Sequence, residues 1–229
     1  MKKRVIKKTI IGILAFVLLF VILLIINLII FEKNSVIVSK GAPIEIYGSN
    51  KSALLVIDIQ EATTGITSTD SCYIKNSDDF ILKINQVTDS FRKQNIPVIF
   101  IRSEISNPLI NLLNDSYAKG SQGAQFDKRL KTNPGIEVVK NRSDSYRNTN
   151  LDNLLTDNKI NQLYIAGLDA AECVNSTVKA AQNRKYQVNL IEEAILSKSE
   201  RMKDSMMVDF RLRGVTVVGI NDLYISKLK

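Results

Sequence analysis

Residues 162–186 read QLYIAGLDAAECVNSTVKAAQNRKY, and they contain a change of period. An apolar run without alternation, QLYIAG, ends at Gly167, and Val174, Thr177, Val178 and Ala181 then recur at helical spacing. A buried strand followed by a helix is the half-unit of a parallel α/β sheet. Cys173 sits where that helix opens. The first turn of a helix has unpaired N–H groups and the positive end of the helix dipole, which favour a thiolate and can hold an oxyanion. Cys173 is therefore the first candidate nucleophile.

Five further runs resemble QLYIAG: ALLVIDI (53–59), IPVIFI (96–101), IEVV (136–139), QVNLI (187–191) and VTVVGI (215–220). They are rich in Val and Ile and barely alternate, as strands covered on both faces do. Helical spacing fills the gaps: Ile81, Ile84, Thr88 and Phe91; Leu151, Leu154 and Leu155; Met202, Met206 and Phe210. The pattern predicts an α/β doubly wound domain with a mostly parallel six-stranded sheet and helices on both faces. In such a sheet the carboxyl ends of the strands share one rim. Asp58 closes the first strand, Lys140 follows EVV, and Cys173 opens a helix, so topology alone predicts that the three meet. A carboxylate within LLVIDIQ needs a partner if buried, and Lys140 can supply it.

The N-terminus has another character. MKKRVIKK (1–8) carries five cations, and Thr9–Phe31 has no charged residue. Those 23 residues reach roughly 34 Å as a helix, enough for a hydrocarbon core of about 30 Å. A cleaved signal peptide is the competing reading, but its apolar region is normally about 7–15 residues and ends in small residues, so an uncleaved anchor is preferred. It predicts a single-pass transmembrane helix, with residues 1–8 cytoplasmic, 32–50 a spacer, and 51–229 a catalytic domain on the extracytoplasmic face of the cell membrane.

The formal charge of +8 falls to +3 once the five leading cations are set aside, and the remaining Lys and Arg are interleaved with Asp and Glu, so no nucleic-acid partner is expected. The chain contains no histidine. That removes His-based triads and His-ligated zinc, and two cysteines are too few for a thiolate-only site. No metal and no cofactor is expected. A Cys72–Cys173 disulfide is not expected either.

ALLVIDIQ, IPVIFIRSE, GAQFDKRL, EVVKNRSDSYRNTNLDNLL, AGLDAAECVNSTVKAA and VNLIEEAILS occur in an order and spacing that resemble the isochorismatase-like cysteine hydrolases, a group that includes nicotinamidases and N-carbamoylsarcosine amidohydrolase. The resemblance runs from about Ser52 to Ser226. It implies an acid, lysine and cysteine triad at Asp58, Lys140 and Cys173. It further implies a cis peptide between Leu168 and Asp169, with the N–H groups of Asp169 and Cys173 forming an oxyanion hole. Retention of the cysteine favours a C–N bond in a small amide or carbamoyl substrate over a vinyl ether. A binding or scaffold protein without turnover is the alternative from another class. Gln60, Tyr73 and Tyr146 are expected at the substrate pocket beneath a loop at 61–76, Arg142 or Arg147 as an anion reader, and a homodimer as the assembly.

Overall fold

The computed structural model describes residues 2–225. A helix α1 (Lys2–Ser35) precedes a domain that runs β1 (Ser52–Ile57), α2 (Ser71–Lys93), β2 (Val98–Ser103), α3 (Pro108–Asn111), β3 (Ile136–Lys140), α4 (Leu151–Asp157), β4 (Gln162–Gly167), α5 (Cys173–Asn183), β5 (Gln187–Ile195), α6 (Glu200–Leu212), β6 (Thr216–Val218) and α7 (Asp222–Ile225). The strands are ordered β3-β2-β1-β4-β5-β6, and every neighbouring pair is parallel. The order reverses between β1 and β4. In an open α/β sheet, ligands bind beyond the carboxyl ends of the strands at such a reversal.

β1 shows why the strand runs do not alternate. Ala53, Leu55 and Ile57 join a core with residues of α4, α5 and α6, whereas Leu54 and Val56 join a second core with α2. Both faces are dry, so each position is apolar. Ile81, Ile84 and Phe91 of α2 and Val174, Val178 and Ala181 of α5 are buried as their spacing predicts. In α6, Phe210 is buried and Met206 packs against the core as expected, whereas Met202 is exposed and Met207 is buried in its place.

One glycine has a clear steric reason. Gly167 pairs with Ile57 at φ +123°, and a Cβ there would stand 2.2 Å from the Ile57 carbonyl oxygen. This close approach brings the end of β4 against the end of β1.

Helix α1 is long and apolar enough over Arg4–Ser35 to cross a membrane. It continues to Ser35, past the expected end at Phe31, and the stretch 32–50 is not simply a spacer. Ser143 N–H donates to the Ser35 carbonyl at 3.1 Å, Ser39 N–H to Asp144 Oδ2 at 2.7 Å, and Ile44 N–H to the Arg184 carbonyl at 2.8 Å. These bonds strap the segment after α1 along the domain.

Candidate active site

Asp58 stands one residue beyond β1 with φ +56°, a left-handed conformation that Asp tolerates better than most residues, and its N–H donates to the Ile101 carbonyl at 2.8 Å. Lys140 is the last residue of β3, paired in register with Ser103, the last residue of β2. Cys173 is the first residue of α5. The three sequence-predicted groups are in contact. Lys140 Nζ lies 2.7 Å from Asp58 Oδ2 and 3.3 Å from Cys173 Sγ. A fourth group, unforeseen, completes the cluster: Lys140 Nζ also lies 2.7 Å from Ser103 Oγ, whose hydroxyl donates to Asp58 Oδ1 at 3.0 Å.

The Lys140 side chain is fully buried and that of Asp58 nearly so. Burial alone would lower the Lys140 pKa, but Asp58 and then Cys173 outweigh it and hold the ammonium well above its ordinary value. Cys173 behaves in the opposite sense. Burial pushes its thiol up, Asp58 pushes the same way, and Lys140 only partly offsets them, leaving it pushed up to about 12. The helix-end position that favours a thiolate is thus opposed here by desolvation and by the Asp58 carboxylate, which Lys140 offsets only in part.

The segment between β4 and α5 is locked through Asp169. Its Oδ1 accepts from Ala171 N–H at 2.7 Å, and its Oδ2 from Tyr73 Oη at 3.0 Å and Lys198 N–H at 2.9 Å. The Leu168–Asp169 peptide is cis. Among the described residues, the N–H groups of Asp169 and Cys173 donate to no protein acceptor.

These groups open into a cavity of about 470 Å³ whose lining includes Asp58, Ser103, Lys140, Cys173, Tyr73 and Tyr117. Tyr73 thus lies where sequence reading expects it, although it stands on α2 rather than in a loop. Two other expected wall residues do not line the cavity. Gln60 is fully buried and ties strand ends together: its Nε2 donates to the Ser103 and Ala124 carbonyls at 2.9 and 2.8 Å, and its Oε1 accepts from Ser103 N–H at 2.8 Å. Tyr146 is buried in the core, with the Arg184 guanidinium 4.3 Å above its ring. Gln60 sits inward because neighbouring backbone satisfies its amide, whereas the Tyr146 ring is covered by the Arg184 guanidinium and its hydroxyl is buried with no hydrogen-bond partner among the described residues. Arg142 lines the cavity; Arg147 instead donates to the carbonyls of Asn34 and Ile37 at 2.7 and 3.3 Å. Cys72 and Cys173 are both free, and Cys72 is exposed on α2.

Ser103 escaped notice because a serine after IPVIFIR resembles any polar strand end; only its register with Lys140 distinguishes it. Tyr117 lies in a loop with no periodicity. Burial, then Asp58 and Cys173, raise its pKa, so it presents a neutral hydroxyl.

The isochorismatase domain model matches residues 52–222. The chain belongs to the isochorismatase family. It is 27% identical over 179 residues to N-carbamoylsarcosine amidase of Arthrobacter sp., across 70% of this chain and 65% of that protein, so it spans just under two thirds of that relative's length. The fold is shared with N-carbamoylsarcosine amidase from Thermoplasma acidophilum, at TM-score 0.61 and 24% identity, covering 73% of this chain and 95% of that one. It is shared too with pyrazinamidase of Pyrococcus horikoshii in complex with zinc, at TM-score 0.63 and 18% identity, covering 74% and 99%. The family is one of hydrolases that includes amidases. The present chain does not fit a His-ligated zinc site: it has no histidine, and among the described residues no three Cys, Asp or Glu side chains are grouped to hold a metal.

Proposed function

We propose that this protein is a membrane-anchored cysteine hydrolase that cleaves the C–N bond of a small amide or carbamoyl compound through a thioester on Cys173. One observation carries the reading: a buried lysine ammonium touches a carboxylate, a serine hydroxyl and a cysteine sulfur at the floor of one cavity. A buried ammonium and carboxylate are costly to desolvate, and their placement against a thiol gives them a chemical use.

In the proposed reaction the Cys173 thiol gives its proton to Asp58 as sulfur attacks the substrate carbonyl carbon. Lys140 stays charged throughout and offsets the negative charge that passes from carboxylate to sulfur and then to the carbonyl oxygen. The free N–H groups of Asp169 and Cys173 are suited to receive that oxygen. Collapse breaks the C–N bond, and Asp58 returns the proton to the leaving nitrogen. Water, giving a proton to Asp58, then attacks the thioester, releasing the acid and restoring the thiol. Burial and Asp58 both disfavour a free thiolate, so in this reading proton transfer accompanies attack.

The five cations in the first turns of α1, ahead of its apolar run, favour a cytoplasmic N-terminus and a domain on the outer side. The test of turnover is ammonia release from a panel of primary amides and carbamoyl compounds by the full chain in vesicles. Cys173→Ala is expected to lower kcat/KM by at least about 10⁴, the scale of losing a covalent nucleophile. Ammonia release that survives this change overturns the thioester route.

A further inference from the structure

We propose that the active site is fed from the bilayer: its substrate is an amphiphile whose amide or carbamoyl head reaches Cys173 while its alkyl chain remains in the outer leaflet beside α1 and α3. This rests on the anchored-amidase reading above and adds the substrate class to it.

The cavity around Cys173 is not closed by the domain alone. Phe31 and Ser35, from the last turns of α1, line it together with Arg142 and Ser143. The Arg142 guanidinium lies 5.1 Å from the centre of the Phe31 ring, and α1 is also held by the Ser143–Ser35 and Arg147–Asn34 bonds. The anchor is thus one wall of the site. A second cavity, about 480 Å³, adjoins the first through shared lining residues Phe31, Ile105, Asn141 and Arg142, and continues along α1 to Asn27.

Depth places that second cavity. Asn27 precedes Phe31 by four residues, about 6 Å along the helix axis, and both lie at the outer end of the apolar run. A helix crossing a hydrocarbon core of about 30 Å uses roughly 20 residues, so Asn27–Phe31 lies at the membrane boundary. Asn107 Nδ2 donates to Asn27 Oδ1 at 3.1 Å, which holds the start of α3 at the same level. Leu112 and Leu113, just beyond α3, are 66% and 53% exposed. Two neighbouring leucines facing water are unfavourable; at the acyl boundary the same surface is stabilising. Between the two cavities stands Arg142, whose Nε has no acceptor among the described residues. That cation suits the oxygen-rich head of an amphiphile passing from leaflet to sulfur.

The test uses the full chain in phosphatidylcholine vesicles and two alkylating probes, iodoacetamide and N-dodecyl-iodoacetamide. Each transfers its acetamide carbon to sulfur with loss of iodide and a proton. Peptide mass mapping gives the rate at Cys173 and, as an internal reference, at exposed Cys72. The expected result is a dodecyl-to-unsubstituted rate ratio at least tenfold higher at Cys173 than at Cys72, and at least threefold lower at Cys173 in the Leu112→Glu, Leu113→Glu variant. Equal ratios at the two cysteines overturn the bilayer route while leaving the amidase reading in place. A Cys173 that neither probe labels likewise overturns the bilayer route, and ammonia release unchanged by Cys173→Ala removes the nucleophile reading and this inference with it. Recovery of the protein in the soluble fraction after carbonate washing removes the anchor on which the route depends.

Discussion

The floor and the roof of the cavity are built differently. The floor, Asp58, Ser103, Lys140 and Cys173, stands on or directly beyond strand ends or at the first residue of a helix, and the register of β1, β2, β3 and β4 fixes each backbone. The roof comes from a helix long and apolar enough to cross a membrane (Phe31), a second long helix (Tyr73) and aperiodic loops (Tyr117, Arg142). Buried parallel strands leave little freedom to the residues that follow them, so reactive groups held there keep a common geometry. Loops and an appended helix can change without disturbing the sheet. The proposed chemistry is thus a property of the floor, and the choice of substrate a property of the roof.

The largest effect that sharpens this contrast is expected from Asp58→Asn. The substitution removes the proposed base, a loss of about 10²–10⁴ in kcat/KM. It also removes a charge that holds the Cys173 thiol up, so the thiol pKa should fall. The rate of Cys173 alkylation by iodoacetamide, read by peptide mass mapping against pH, should rise at lower pH in Asp58→Asn than in wild type. Activity and thiolate fraction then move in opposite directions. If both fall together, Asp58 does not act on Cys173 as a carboxylate.

A smaller loss is expected from Ser103→Ala. This hydroxyl donates to Asp58 and accepts from Lys140, and the ion pair survives its removal. Losing hydrogen bonds to charged groups costs about 1.5–3 kcal/mol, or roughly ten- to a hundredfold in kcat with little change in KM. An unchanged kcat would reduce Ser103 to a spectator of the floor.

The same division explains what could be read from the chain before its structure. The floor was legible because its signals are local: unbroken apolar runs mark strands covered on both faces, and a reactive residue at the end of each run must reach the same rim. Gln60 and Tyr146 failed because a polar or aromatic residue near a strand end can turn either way. The backbone acceptors around Gln60 and the Arg184 plane above Tyr146 decided the matter, and neither leaves a pattern in sequence. Ser103 was hidden for the converse reason, since its importance comes from a partner 37 positions away. The cysteine was found, but what opposes its ionisation was not. Helix-end position is visible in sequence, whereas the desolvation and the carboxylate that outweigh it are properties of three-dimensional packing. The role of α1 in the roof was invisible, because hydrophobicity announces a span and says nothing of what its last turn touches.

Arg147→Ala is expected to have the smallest effect and to separate the two regions most directly. Arg147 donates to the Asn34 and Ile37 carbonyls, capping the end of α1 where helical carbonyls lack intrahelical partners. It does not line the cavity, and no floor residue touches it. Its loss should loosen the attachment of α1 by about 1 kcal/mol, seen as roughly five- to tenfold faster amide exchange across residues 35–39. Phe31 and Ser35 would then hold their wall less firmly, so KM should rise a few-fold while kcat stays within about twofold. A kcat that falls as far as KM rises would mean that α1 also positions the floor, and the separation of chemistry from substrate choice would not hold.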